Sequence, residues 1–486
     1  MILALAIALP MVVAGFLISP AARGADHRRT AALTIAISVG SLLLSVLAFR
    51  ESSTLDLPWI PALGIRLHLG IDGISLPLMV LTSAVTALAA TTALRRDPTG
   101  PDGAGAPTFQ ACLLLTQAGA LATFTARDAV LFFLAFEIVL IPMWVLINRF
   151  GGAERQIAGT RFVLYTAFGS TLMLAGILVL VTASGTGDLT RLAASGGAGL
   201  ATSTQVVIAA LLTIGLAVKV PLWPLHSWLP LAHTAAPTAG SMLLAAVLLK
   251  MGTYGLIRLP LATVPDGFAV IAPVLAVAGV TGIIWAGLIC LIERDLKRLI
   301  AWSSVAHMGV VALALATGTA TGLQAAIYAN LAHGAISALL FFVVGAVKER
   351  VPDLDLATSR PALREHAPTL GWMLVFGLAA GLGLPGLAAF WGEFYGIVAA
   401  LSPAADRPEG LFAVCAVIAA IGAAIAGAYS IRVVRLVWMG DRGEAPLPDA
   451  DNIERVTGGV LVAAIILLGV APSLIAWITA LPGVAR

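Results

Sequence analysis

Residues 217–250 read AVKVPLWPLHSWLPLAHTAAPTAGSMLLAAVLLK, an apolar stretch that contains Lys219 near its start, closes on Lys250 and carries Pro221, Pro224 and Pro230 between them. Lysines deep in apolar sequence are expensive in any interior, and each internal proline removes a helical hydrogen bond. Both are tolerated where neighbouring helices or water inside a membrane meet the freed backbone and the charge. The stretch therefore reads as one membrane span broken midway, followed by a second.

The rest of the chain agrees. Of its 486 residues 59% are hydrophobic and 11% charged, against roughly 25% charged in soluble domains, which excludes a soluble globular enzyme. Apolar windows long enough to span a bilayer, about 20 residues, lie near 2–19, 30–49, 74–94, 108–125, 129–148, 161–183, 205–231, 237–258, 268–292, 297–316, 322–347, 370–399, 410–435 and 456–480. The first, MILALAIALPMVVAGFLIS, lacks the basic leader of a signal peptide and reads as a retained span. The fold expected is an all-α polytopic membrane protein with 14 transmembrane helices.

Net charge is only +3, so the placement of the basic residues matters more than their total. Odd-numbered connections between windows carry 19 Lys and Arg, and even-numbered ones with the C-terminus carry 7. By the positive-inside rule the odd connections are cytoplasmic and both termini lie on the other side. The two lysines outside this count are Lys219 and Lys250. Lysine can give up its proton when desolvated, whereas arginine effectively cannot. Among carboxylates, Glu137 (FFLAFEIVLIP) and Glu393 (AAFWGEFYG) fall well inside windows, while Asp72, Asp128, Glu293 and Glu349 fall at window ends, within reach of water.

No linker divides the chain, but two windows are interrupted: the seventh at Pro221 and Pro224, and the twelfth at Pro385 in GLGLPGLAAFWGEF. Prolines that merely kink packed helices would look the same, yet both breaks adjoin a buried charge. The breaks are five windows apart, which fits two five-helix repeats (spans 4–8 and 9–13), inverted because their length is odd, with the breaks marking the ion path. The divisions expected are a three-helix segment (1–107), a first repeat (108–258), a second (268–435) and a loop with a last helix (436–486).

Glu137 and Lys219 are the natural ion pair; at about 4 Å and an effective dielectric near 20 such a pair gains on the order of 4 kcal/mol. A static bridge locking two spans is the competing reading. Lys250 has no acid on its own span, which suits a proton carrier better than a fixed charge. His226, His233, His307 and His333 lie in the same apolar stretches and can both donate and accept near neutrality, with Tyr254, Ser304, Tyr328 and Asn330 as possible bridges. Cys112, Cys290 and Cys415 are far apart and lack CxxC spacing, and no metal, haem, quinone, phosphate-loop, dinucleotide or triad motif is present. Ion translocation is the chemistry that remains.

The segments FEIVLIPMWVLINRFGG (136–152), AVKVPLWPLHSWLPLAHTAAPTAGSMLLAAVLLK (217–250), DLKRLIAWSSVAHMGVV (295–311), NLAHGAISALLFFVVGAVKER (330–350) and GLPGLAAFWGEF (383–394) closely resemble the antiporter-like subunits of respiratory complex I, above all the M type, counterpart of mitochondrial NADH dehydrogenase subunit 4. The resemblance covers roughly 70–440. It implies 14 helices with inverted repeats, Glu137 and Lys219 as the pair that couples neighbouring subunits, Lys250 as the central relay lysine, His226, His307 and His333 as relay histidines, and Glu393 as the terminal acid, reached from Lys250 through His333 and water. Glutamate at 393 distinguishes the M type from the L and N types and from the D-type component of Mrp sodium/proton antiporters, where lysine is typical. It also implies a proton-translocating subunit of NADH:quinone oxidoreductase in a bacterial plasma membrane, with L-type and N-type neighbours. FMN, iron–sulfur clusters and quinone belong to partner subunits, with no cofactor or nucleic acid bound by this chain. Mrp antiporters and energy-converting hydrogenases use the same scaffold and are the alternatives.

Overall fold

The computed structural model describes residues 1–61, 64–100, 103, 105–352, 354–440 and 447–479. Every apolar window holds helix, as expected where lipid offers the backbone no hydrogen bonds. Among the described residues eleven of them are long and apolar enough to cross a membrane, from His27–Arg50 to Asn452–Val470. The other windows hold the 17-residue helix Ile2–Ile18, the helix Ala106–Thr125, and two helices of 14 residues, Pro368–Gly381 and Ala388–Leu401. The end of the last window, Ala480, lies outside the described residues.

The chain is not wholly helical. Residues 50–73, expected only to be a hydrophilic connection, form an antiparallel hairpin of Thr54–Ile60 and Ile65–Gly70, with Leu55 opposite Leu69 and Leu57 opposite Leu67. Its period-2 alternation, as in IRLHL, is a strand pattern that the dominant apolar windows obscured.

Both expected breaks are present. The helix Thr202–Lys219 stops before Pro221, and the chain becomes helical again at Trp228–Ala235. Between Pro368–Gly381 and Ala388–Leu401 it turns through Gly383 (φ +65°), Pro385 and Gly386 (φ +89°), left-handed positions open to glycine at no steric cost. The eighth window contains a second kind of irregularity, wide π turns at Leu244–Leu248 and Ile257–Leu261 on either side of the helix Leu249–Leu256, and another occurs at Val434–Met439.

The described residues group into two compact units: those of 1–221 with 247–272 and 475–479, and those of 222–246 with 273–474. In the first, the hairpin residue Leu69 bridges Ala126, Asp128 bridges Asp188, and the Leu189 N–H donates to the Arg127 carbonyl at 2.8 Å. In the second, Asp295 bridges Asp355, and the Leu356 N–H donates to the Arg294 carbonyl at 2.9 Å. Donor and acceptor are 62 residues apart in both. Small residues let helices touch within each unit: a Cβ on Gly169 would stand 2.7 Å from the Gly215 carbonyl oxygen, and one on Gly309 would run into that of Gly279.

Candidate functional site

In the first unit, Glu137 rides on the helix Ala129–Ile138, whose free N–H groups are capped by Asp128 through Val130 and Leu131. Its Oε1 accepts a hydrogen bond from Ser170 Oγ at 2.5 Å. Lys219, the last residue of Thr202–Lys219, is 2% exposed and holds its Nζ 4.6 Å from the centre of the Phe136 ring. The Lys219 ammonium thus faces the ring of the residue next to Glu137 in the chain, and the Glu137 carboxylate faces a serine.

Lys250 is fully buried in Leu249–Leu256, directly after a π turn. That helix approaches Lys219 through a glycine: a Cβ on Gly252 would meet the Val220 side chain at 2.8 Å and the Lys219 Cβ at 3.2 Å. One turn beyond Lys250, the Tyr254 hydroxyl donates to the Phe124 carbonyl at 2.7 Å. One turn further, Arg258 lies over the Tyr254 ring and shares the Oδ2 of Asp72 with Arg127. Asp72, placed by its position at a window end within reach of water, is instead 7% exposed. Burial pushes its carboxyl up, and the Arg258 and Arg127 guanidiniums overcome this to hold it at about 2.

The second unit holds His226, His307, His333 and Glu393. His307 Nδ1 lies 3.2 Å from Glu393 Oε1, both side chains 18% exposed. The rings of His307 and His333 are 5.6 Å apart, and the Ser337 hydroxyl is 3.0 Å from His333 Nε2. His307 and Glu393 both line two small cavities, one reaching His333 and the other Tyr429. The break in the twelfth window makes this geometry possible, because a Cβ on Gly383 would stand 2.5 Å from Glu393 Oε2.

His226 stands apart from this group, edge-on to Trp302 at 5.5 Å, and His233 stacks on Phe341 at 4.3 Å. Tyr328 donates to the Leu468 carbonyl and Ser304 to its own helix at Ile300. Lys297, counted from its sequence as a connecting-loop residue, is 6% exposed and donates to the Ala236 carbonyl at the end of Trp228–Ala235. Sequence position hid it beside Arg294 and Arg298, although the Asp295 cap soon after the preceding apolar run marks a helix start there. Ser170, Ser337 and Tyr429 carried no signal beyond being polar in apolar windows.

A family described as NADH:quinone oxidoreductase/Mrp antiporter, TM, matches residues 126–422. The chain is 34% identical to NAD(P)H-quinone oxidoreductase chain 4 1 of Picosynechococcus sp., over 96% of this chain and 88% of that one. It is 34% identical to NADH-quinone oxidoreductase subunit M of Rhodobacter capsulatus, over 86% and 81%. A chain in the structure of respiratory complex I from Thermus thermophilus with bound NADH is 27% identical and matches with a TM-score of 0.86, covering 98% of this chain and 97% of that chain. The fold also matches a chain of the Mrp complex from a Dietzia species at a TM-score of 0.86 and 24% identity, covering 98% of this chain and 51% of that chain.

Proposed function

Because the chain belongs to the NADH:quinone oxidoreductase/Mrp antiporter family of membrane subunits, we propose that it is the M-type proton-translocating subunit in the membrane arm of a bacterial NADH:quinone oxidoreductase. The observation that carries this reading is the His307–Glu393 contact lining two cavities, with His333 beside it. A histidine within hydrogen-bond reach of a carboxylate can pass a proton without a large rearrangement, and the cavities that His307 and Glu393 line would admit water to the pair.

In the first unit, Lys219 and Glu137 form the adjustable electrostatic element. When a neighbouring subunit draws Glu137 away, the Lys219 charge is less compensated and disfavours a proton on Lys250. Moving one charge against 100 mV costs about 2.3 kcal/mol, and a close charge pair at an effective dielectric near 20 supplies on the order of 4 kcal/mol, so one pair is sufficient to drive one proton. In the second unit, His333 and His307 carry the proton to Glu393, which releases it. Electron transfer lies with flavin, iron–sulfur and quinone sites of partner subunits, and L-type and N-type subunits flank this chain. The titrating groups are coupled and share their protons as a set.

The same proposal includes 14 spans and two inverted five-helix repeats. It is supported by the clasp that recurs with 62-residue spacing, and by the π turns at Ile257–Leu261 and Val434–Met439, each with arginine second, Arg258 and Arg435. Both termini lie on the non-cytoplasmic side. A D-type Mrp component or a hydrogenase membrane component would use the same scaffold; glutamate at 393 and relatives named as quinone oxidoreductase subunits favour the M type.

The test is to purify the tagged chain in mild detergent, identify its partners by mass spectrometry, and measure NADH-driven proton uptake after reconstitution. Flavin and iron–sulfur subunits, with uptake lost in Lys250→Met at intact assembly, support the proposal. Antiporter subunits alone, or full uptake in that variant, overturn it.

A further inference from the structure

Asp72, Arg127 and Arg258 form a buried charge cluster that the proton path above does not use. One carboxylate oxygen of Asp72 accepts from a guanidinium of each arginine, while its other oxygen accepts the N–H groups of Ile74 at 2.9 Å and Ser75 at 3.0 Å. The three side chains are 6%, 13% and 12% exposed. Arginine keeps its proton at any working pH, so two cations facing one anion leave a permanent net charge of +1. The nearby carboxylates are engaged elsewhere: Asp128 caps its helix, and Asp188 faces Thr190, Arg191 and, at 3.6 Å, His68.

The position of this charge is informative. Arg258 follows Lys250 by eight residues, through the helix Leu249–Leu256 and into the π turn Ile257–Leu261, roughly 12 Å at about 1.5 Å per residue, and the Tyr254 ring lies on the turn between them, 5.2 Å from the Arg258 guanidinium. Asp72 and Arg127 tie Arg258 to the hairpin side of the unit, where Leu69 bridges Ala126 and Asp128 bridges Asp188. A proton moving from that side along this helix toward Lys250 would pass the fixed charge. At about 12 Å and an effective dielectric near 20, a unit charge disfavours an arriving proton about tenfold, the principle by which a pore arginine excludes protons.

We propose that Asp72, Arg127 and Arg258 are an electrostatic plug that keeps protons on the hairpin side from returning to Lys250. The proposal rests on Lys250 as a proton carrier, as put forward above, and its test is therefore made without turnover. The intact complex is reconstituted into vesicles with a trapped pH-sensitive dye, and the decay of an imposed pH gradient is followed in the absence of NADH. Arg258→Gln should speed the decay by up to about tenfold, Arg258→Lys should keep the seal, and adding Lys250→Met to Arg258→Gln should restore it. Unchanged decay in Arg258→Gln, or equal leak in Arg258→Gln and Arg258→Lys, overturns the plug. Should Arg258→Gln fail to assemble, Arg127→Gln neutralises the same cluster and takes its place; failure of both makes the cluster a structural clamp and overturns the plug. Loss of the proton-carrier reading is recognised separately, by NADH-driven uptake that persists in Lys250→Met alone.

Discussion

His307 Nδ1 and Glu393 Oε1 lie 3.2 Å apart, bringing together two residues 86 positions apart in the sequence that line the same two cavities. In the proposed path the proton crosses this contact. Glu393→Gln keeps the shape and removes the titration, so NADH-driven proton uptake in vesicles should fall while quinone-dependent NADH oxidation in detergent persists. Uptake at the wild-type ratio of protons to NADH would show that the contact is structural.

Lys250 offers a sharper substitution than methionine. Lys250→Arg preserves charge and length but not the ability to give up a proton. If Lys250 is a carrier, arginine is as damaging to proton uptake as methionine; if it is only a fixed charge, arginine restores uptake. The two outcomes are read from the same vesicle assay.

Gly383 combines a left-handed backbone, φ +65°, with 2.5 Å between an added Cβ and Glu393 Oε2. Gly383→Ala is expected to cost about 1–3 kcal/mol in local strain and to push Glu393 off His307. Proton uptake should fall more than thermal stability, the latter followed by the melting of the purified complex. An alanine variant with full uptake would show that the break tolerates displacement of Glu393.

Asp72 predicts an acid dependence of stability. Its folded pKa of about 2 lies below the ordinary carboxylate value of 3.8, so ionised Asp72 stabilises the fold above about 3.8, and that contribution is lost as pH falls through 2. The shift corresponds to about 2 kcal/mol. Thermal melts between pH 6 and pH 2 should drop less steeply in Asp72→Asn than in the wild type, from a lower starting point because two buried guanidiniums lose their anion. Parallel melting curves would remove Asp72 from the acid response.

Arg350 donates to both carboxylate oxygens of Glu454, from Nη1 at 2.9 Å and Nη2 at 2.8 Å, with 8% and 0% side-chain exposure. Removing one member of such a buried pair costs about 3–5 kcal/mol. Glu454→Ala should therefore reduce the amount of assembled complex recovered from membranes, with turnover per assembled complex unchanged; unaltered recovery would show that the pair contributes little.

The apolar windows located the helices because lipid admits hardly any other backbone arrangement, and proline beside glycine or buried charge located both breaks. The windows could not say which way a side chain turns within a span. Thus the pairing of Glu137 with Lys219 rests on residue type, and what the structure adds is Ser170 beside the first and the Phe136 ring beside the second. The cluster of Asp72, Arg127 and Arg258 was illegible for a different reason: the two arginines are 55 and 186 residues from Asp72, and only the fold brings them to one oxygen. Lys297 was misread because a window edge cannot distinguish the first turn of a helix from the loop before it.

The π turn Leu244–Leu248 immediately precedes Leu249 and Lys250. Such a turn accommodates one residue more than the α-helical repeat, and each residue of an α-helix advances about 100° around the axis. Deleting a single residue between 244 and 248 would let the turn tighten and swing everything after it by about that angle, carrying Lys250 to another side of its helix. The facing of this ammonium is therefore set by helix register, so a one-codon deletion at a position with no polar side chain would disable it as surely as replacing the lysine.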